Sequence, residues 1–422
     1  MKPGPVPAGA GRALAHCAEL ARITSLAEGI ERVHLSPEHK LANALAAGWM
    51  REAGMETWQD PAGNQCGRLE GRDRDLPALV LGSHLDTVTD AGAFDGMLGV
   101  MLAIEVVDRI RRSGRALPFA LEVIGFSDEE GTRFGTALLG SRAFAGTWDD
   151  ALLELTDRKG TTLAEAARAF GLDPTRIGEA ARRPDELVGY LETHIEQGPH
   201  LEDADRALAA VSSIAGARRF ALTVTGRAGH AGGTPYDRRR DALVGAAEVI
   251  VEIERIAKDT GTIGTVGRVR AFPGGVNVVP GVARFSLDLR GESDELRDAA
   301  WARVDDFARE VCERRGLGWG VEEFYRADAV PCDPALRAAV EDGIRSTGDA
   351  EPRVLWSRAG HDGMAVAAVT GIAMLFLRCG NGGISHHPDE TVTASDVAAA
   401  LDAFEAAVLA LADRHGASGQ RG

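Results

Sequence analysis

LVLGSHLDTVTDAGAFDG (residues 79–96) opens as an apolar run, ends among glycines, and carries His84, Asp86 and Asp95 on the way. An apolar run bounded by turn-forming residues predicts a short buried strand, with His84 emerging at its carboxyl end. After Asp95 the period changes: Val100, Ile104, Val107 and Ile110 recur at helical spacing and Gly114 supplies the stop. FALEVIGF (119–126) is a second strand, running into Ser127-Asp128-Glu129-Glu130. Strand, helix, strand with polar groups off the strand ends is the pattern of a doubly wound α/β sheet, whose ligand sites lie beyond the carboxyl ends of the strands. A third strand around Val188 to Thr193 delivers HIEQGP (194–199), and IAMLFLRCG (372–380) leads into NGGISHHPDE.

From Ala217 the pattern alters. RFALTVT alternates, with Phe220, Leu222 and Val224 on one face, and a helix from Asp241 to about Lys258 places Leu243, Ala247, Ile250 and Ala257 on one side. TIGTVGRVRAF, VARFSLDLR, a helix through 293–315 and the strand-like WGVEEFY complete an α+β unit, read as a domain inserted in the first. In VARFSLDLR the apolar Phe285, Leu287 and Leu289 point one way, so Arg290 lies on the opposite, open face. The predicted division is catalytic domain 1–214, inserted domain 215–327, catalytic domain 328–422.

The 422 residues are enough for two domains. A net charge of -16 argues against a nucleic-acid partner, which needs clustered Lys and Arg. No window approaches the roughly 18 apolar residues of a membrane span. Cys17, Cys66, Cys312, Cys332 and Cys379 are scattered, odd in number and never in a C-x-x-C arrangement, which predicts reduced thiols and a cytoplasmic location. MKPGPVPAGAGRALAH has no continuous apolar stretch and reads as a frayed tail rather than a signal peptide; the terminal ASGQRG reads as loose.

Collected at strand ends or on glycine-rich loops are His84, Asp95, Glu129, Glu130, His194 and His386. Three imidazoles with three carboxylates suit zinc, manganese, cobalt or nickel rather than calcium. One carboxylate too many for a single site points to two metals, because a shared aspartate can bridge ions about 3.5 to 4 Å apart. One of the adjacent Glu129 and Glu130 can bind metal while the other works on water. Asp86 is placed to accept the second imidazole N–H of His84. Taken singly, each residue also has a plain structural reading: a Glu pair on a solvated loop, a hydrogen-bonded core histidine, a surface arginine at 290.

GSHLDTV, GAFDGMLGV, DEEGTRF with GSRAFAG, HIEQGP, GHAGGTP, VNVVPG with LDLR, AGHDGM and ISHHPDE occur in the order seen in the amidase/carbamoylase branch of the M20 di-metal hydrolases, which this chain resembles from about residue 20 to 410. His84 and Asp95 stand eleven residues apart, and His194 falls where the peptidases of that family usually carry an acid; both features favour this branch. The resemblance implies one metal on His84, Asp95 and His194, another on Asp95, Glu130 and His386, and Glu129 as general base. It places Gln197, His230, Asn277, Arg290 and His361 at the substrate, with Asn277 and Arg290 on its carboxylate, His230 on the oxyanion, and Gly360 where the backbone approaches the substrate closely. It further implies a lid and dimerisation role for the inserted domain and a homodimer, with an edge strand at 218–225 offering pairing groups and His230 acting in cis by closure or in trans. Tyr236, Arg358 and His387 depart from the pattern, and the first two bear on the substrate pocket. The expected protein is a cytoplasmic di-metal amidohydrolase that cleaves the carbamoyl group of small N-carbamoyl acids, with N-carbamoyl-L-amino acids leading and allantoate next. The alternatives are an M20 aminoacylase or dipeptidase acting on acyl amides, and a non-catalytic binding protein, against which the presence of Glu129 speaks.

Overall fold

Every residue of the strands Ala78–His84 and Ala120–Phe126 is buried, as expected of strands covered on both faces, which read as continuous apolar runs rather than alternating ones. The structure is a computed structural model describing residues 8–418. Chain contacts divide it into two units: one holds the chain up to Ser212, Cys332–Leu355 and everything from Gly360 onward, and the other holds Ser213–Pro331 and Trp356–Ala359.

In the first unit the strands run in the order Glu56–Gln59, Gln65–Leu69, Ala120–Phe126, Ala78–His84, Leu187–Ile195, Ile372–Leu377, Leu208–Ile214. The four from Ala120–Phe126 to Ile372–Leu377 are mutually parallel. Register pairs His84 with Phe126 and His194 with Phe376, so all four carboxyl ends reach the same edge of the sheet. Met97–Ser113 packs on the central strands and against Ala8–Leu20 and Ala394–Ser418. That helix starts at Gly96, with φ 74, and stops at Gly114, which is left-handed at φ 72.

In the second unit an antiparallel sheet runs Val269–Phe272, Val282–Gly291, Gly216–Thr225, Gly318–Ala327, and Ile263–Thr265 also pairs with Val282–Gly291. Phe220, Leu222, Val224, Phe285, Leu287 and Leu289 share a core with the helices Ala242–Thr260 and Asp294–Arg315. Phe220 stacks on Trp301 with ring centroids 3.8 Å apart.

Three expectations need correction. Ala8–Leu20 is a helix with Ala10, Ala13, Cys17 and Leu20 buried, although the N-terminal stretch reads as a tail; small residues let it lie close to its neighbours. The tail expectation for residues 1–7 lies outside the described residues, as does that for 419–422, whereas Ala417 and Ser418 of the terminal ASGQRG belong to the helix Ala394–Ser418. The strand spanning 218–225 is central, hydrogen-bonded on both sides, so its backbone groups are already paired and the open edges belong to other strands. The buried face of Ala242–Thr260 is Ala242, Gly245, Ala246, Val249, Ile253, Ile256 and Ala257, leaving Leu243 36% exposed. Of the expected stripe only Ala257 is among these buried residues, because Val249, Ile253 and Ile256 face the core in place of Leu243 and Ala247.

Candidate metal centre and active site

His84 ends its strand 2% exposed. Its Nδ1 lies 3.0 Å from the main-chain carbonyl of Asp86. A carbonyl only accepts, so Nδ1 carries the proton and Nε2 keeps a lone pair. His194 repeats the device: Nδ1 is 2.9 Å from the Ile195 carbonyl, and the buried Nε2 makes no hydrogen bond. Both free nitrogens face one oxygen of Asp95, Oδ1, from His84 at 3.9 Å and from His194 at 3.3 Å. A Cβ on residue 96 would lie 2.4 Å from the His84 ring, so Gly96 lets the loop of Asp95 close over the imidazole.

The other oxygen of Asp95 faces elsewhere. Oδ2 is 3.0 Å from His386 Nε2, which is itself 3.4 Å from Glu130 Oε1. Ligand-type atoms of His84, Asp95 and His194 lie within 4.8 Å of one another, and so do those of Asp95, Glu130 and His386. His386, not His387, makes this approach; His387 is half exposed and its Nδ1 accepts the N–H of Asp389.

Glu129 and Glu130 are aimed by Asp86, whose Oδ1 accepts the N–H of Glu129 at 3.0 Å and whose Oδ2 accepts that of Glu130 at 3.2 Å. Asp86 does take the second imidazole N–H of His84, but through its main-chain carbonyl; its carboxylate serves the Glu pair and lies 3.6 Å from His84 Nδ1. A further grouping within 4.8 Å joins His84, Glu129 and Glu130.

Burial, then the charges of Glu130, Asp362, Asp86 and Asp95, push the Glu129 carboxyl well above the usual range. Burial and Asp95 do the same to Glu130. Burial would raise Asp95 as well, but the hydrogen bond from His386 and the imidazoles of His194 and His84 bring it down. The hydrogen bond to Asp95 raises His386 to about 9. A dry cluster of mutually repelling carboxylates, with two imidazole lone pairs held ready, is the donor set that dications relieve. The residues present therefore fit a pair of such ions.

His361 is 1% exposed, its ring edge-on to His194 at 4.5 Å, and burial followed by His194 holds it well below the ordinary histidine value, hence neutral. A Cβ on Gly360 would meet Met364 Sδ at 3.5 Å and Glu129 Oε1 at 4.0 Å, ordinary contacts, so the protein alone does not require glycine there. Gln197 has φ 54, and its Nε2 donates to Asp95 Oδ1 at 3.0 Å and to Ser385 Oγ at 3.1 Å.

The remaining expected residues belong to the second unit. His230, in the short strand Gly229–His230, pairs with Val278, and its Nδ1 accepts the N–H groups of Gly232 and Gly233 at 3.2 and 3.0 Å. Its proton therefore sits on Nε2, a donor turned away from those two amides. Asn277 is exposed, its carbonyl accepting from Ala231 at 2.9 Å. Arg290 is held by Asp288 Oδ1 on Nε at 2.9 Å and by the Arg358 carbonyl on Nη1 at 2.7 Å. The Arg358 side chain stacks over Trp356 at 4.6 Å, and Tyr236 is 86% exposed.

Sequence reasoning missed Glu390, Ser385, Asp128, Asp362, Glu192 and Arg32. Glu390 is 6% exposed although its neighbour Asp389 is largely in solvent, and nothing in the local pattern separates the two. Arg32, fully buried, clamps the segment after His84 through the Leu85 carbonyl at 2.7 Å and through its own N–H to Thr87 Oγ1 at 2.8 Å. The one available signal was membership of Ser385, Glu390, Asp128 and Asp362 in motifs already chosen for their neighbours.

Residues 80–410 match the profile of Peptidase family M20/M25/M40. The chain is 40% identical over 385 residues to N-carbamoyl-L-amino acid amidohydrolase of Geobacillus stearothermophilus, covering 91% of this chain and 94% of that one. It is 39% identical over 419 residues to allantoate deiminase of Arabidopsis thaliana, covering 92% of this chain and 80% of the relative. A crystal structure of an amidase of the hydantoinase/carbamoylase family from Burkholderia multivorans superposes with TM-score 0.87 at 32% identity, over 96% of this chain and 98% of that one. With the motifs in order, the parallel sheet presenting them and relatives matched over nearly their whole length, the chain belongs to peptidase family M20.

Proposed function

We propose that this protein is a di-metal amidohydrolase that removes the carbamoyl group from small N-carbamoyl acids, N-carbamoyl-L-amino acids first and allantoate second. The observation that carries the reading is Asp95, whose two oxygens face two different donor sets beside a buried Glu129 of raised proton affinity. His84, Asp95 and His194 would hold one ion and Asp95, Glu130 and His386 the other; zinc suits these donors best, with manganese, cobalt or nickel also compatible. Such ions, when bound, polarise a carbonyl and acidify water.

The chain's own groups do the rest. Glu129 takes a proton from the attacking water and delivers it to the leaving nitrogen, a task suited to a carboxyl whose proton affinity is raised by burial and neighbouring acids. His230 donates its Nε2–H to the oxyanion. Arg290, already oriented by Asp288, and Asn277 bind the substrate carboxylate, which the planar guanidinium can meet with two parallel hydrogen bonds. Gln197, His361 and the backbone at Gly360 contact the remainder of the substrate. One water and one N-carbamoyl amine yield the free amine, carbon dioxide and ammonia.

The same reading makes the protein cytoplasmic, in keeping with five buried free thiols, and a homodimer through the second unit. There the open edge strand Gly318–Ala327 exposes Val321, Phe324 and Tyr325 by 42%, 54% and 42%. The test is ammonia release over N-carbamoyl-L-amino acids, N-carbamoyl-β-alanine, allantoate and ureidoglycolate. Ammonia appearing one-for-one with substrate loss supports the reading, while an acyl amide substrate yielding amine without ammonia would move the protein to the aminoacylase class.

A further inference from the structure

Asp95 does not hold its place alone. Its N–H and that of Phe94 both donate to Glu390 Oε1, at 3.1 and 2.8 Å. Glu390 Oε2 accepts the hydroxyl of Ser385 at 2.8 Å. Ser385 accepts from Gln197 Nε2 at 3.1 Å, and the same nitrogen donates to Asp95 Oδ1 at 3.0 Å. A hydroxyl has one proton and an amide nitrogen two. Ser385 therefore gives its proton to Glu390 rather than to Asp95 Oδ2 at 3.4 Å, and Asp95, Gln197, Ser385 and Glu390 close a ring. The ring ties together the loops that carry Asp95, Gln197 and His386. Gly92 makes room for it, since a Cβ there would lie 2.2 Å from the Glu390 carboxyl carbon.

A glutamine would accept the two amides on its one oxygen but set an NH2 group against the Ser385 hydroxyl, so the ring needs both carboxylate oxygens. A second buried acid beside Asp95 adds like-charge repulsion. That arrangement is stabilised where positive charge is bound next to it.

We propose that Glu390 is a positioning residue for the cation pair: it locks the loop of Asp95 to the loop of His386, so that Asp95 is held where both donor sets share it. The inference rests on the two-ion reading under Proposed function. The Glu390 oxygens hydrogen-bond to the main-chain N–H of Asp95 and the hydroxyl beside His386 rather than to a ligand atom of either donor set.

The experiment is zinc titration of the metal-stripped full chain against a chromophoric chelator, for wild type, Glu390→Gln and Ser385→Ala, with thermal melting of each zinc-loaded protein as a fold control. Wild type takes up two ions. In both variants the ion weakened most is that of Asp95, Glu130 and His386, by about 10 to 100-fold, the range for groups that orient metal ligands. The ion of His84, Asp95 and His194 is weakened less than the other, because main-chain carbonyls fix its two imidazoles independently of the ring. The double variant loses less than the product of the two single losses, since both break one ring. Two ions bound by each variant with wild-type affinity would overturn the proposal for Glu390. Wild type binding one ion or none would instead refute the two-ion reading itself. Should Glu390→Gln fail to fold, Ser385→Ala, which removes one hydroxyl from a partly exposed loop, tests the same ring: a weakened second ion supports the proposal and wild-type affinity for both ions overturns it.

Discussion

Replacing Asp86 by Asn keeps the size of the side chain and the main-chain carbonyl that orients His84, but exchanges one acceptor oxygen for an NH2 group. The two oxygens of Asp86 each accept one amide, from Glu129 at 3.0 Å and Glu130 at 3.2 Å. Asparagine can serve one of them, and the other N–H then faces a donor. One charge-assisted hydrogen bond is lost, about 1.5 to 3 kcal/mol. If that energy appears wholly in the positioning of the Glu pair, kcat falls about 10 to 150-fold at 1.36 kcal/mol per decade. KM should move by less than about threefold, since Asp86 is not among the residues assigned to the substrate. Steady-state kinetics on an N-carbamoyl-L-amino acid, run at saturating zinc and paired with elemental analysis, separates the causes. Wild-type kcat would show that the two amides need no anion. A loss fully restored by excess zinc would place the role of Asp86 in holding metal rather than in aiming Glu129.

Glu129→Gln should lower kcat by about 10² to 10⁴-fold at nearly unchanged metal content, whereas Glu130→Gln should lose one ion by elemental analysis; the opposite pattern would reverse the division of the pair. Arg290→Ala should cost about 2 to 4 kcal/mol in kcat/KM for the carboxylate substrate and little for its amide analogue, and equal losses on both would make Arg290 a structural residue. For the metal-stripped protein, His386 raised from 6.5 to about 9 contributes stability that is complete below pH 6.5 and lost as pH rises through 9. The raised carboxyls of Glu129 and Glu130 act in the same direction. Its Tm should fall from pH 6.5 to 9, and zinc should raise Tm more at pH 9 than at pH 6.5; a flat Tm over that range would contradict the charge balance described for the site.

The parallel core was legible because strands buried on both faces announce themselves as unbroken apolar runs, and the metal-binding types stood just after them. His84, Asp95, Glu130, His194 and His386 could be picked out because each lies in a motif at a strand end or on a glycine-rich loop. What a linear pattern does not encode is which atom of a residue is used. Asp86 offers its carbonyl to His84 and its carboxylate to Glu129 and Glu130, and the spacing of the residues fits either assignment. Glu390 reads as a solvated acid because the amides it receives come from residues nearly three hundred positions away. The helix Ala8–Leu20 was hidden for another reason: of its buried residues Gly9, Ala10, Ala13, Cys17 and Leu20, only Leu20 is a large apolar side chain, and small ones carry little hydropathy signal but allow close packing. Centrality of Gly216–Thr225 follows from pairing with strands both far downstream, and alternation alone cannot tell a central antiparallel strand from an edge.

Bridging of two cations by Asp95 can be seen by anomalous diffraction from crystals grown with zinc. Two peaks about 3.5 to 4 Å apart, one between Asp95 Oδ1 and the Nε2 atoms of His84 and His194, the other between Asp95 Oδ2, Glu130 and His386 Nε2, are the predicted result. A single peak, or two peaks of which one does not touch Asp95, would contradict the account.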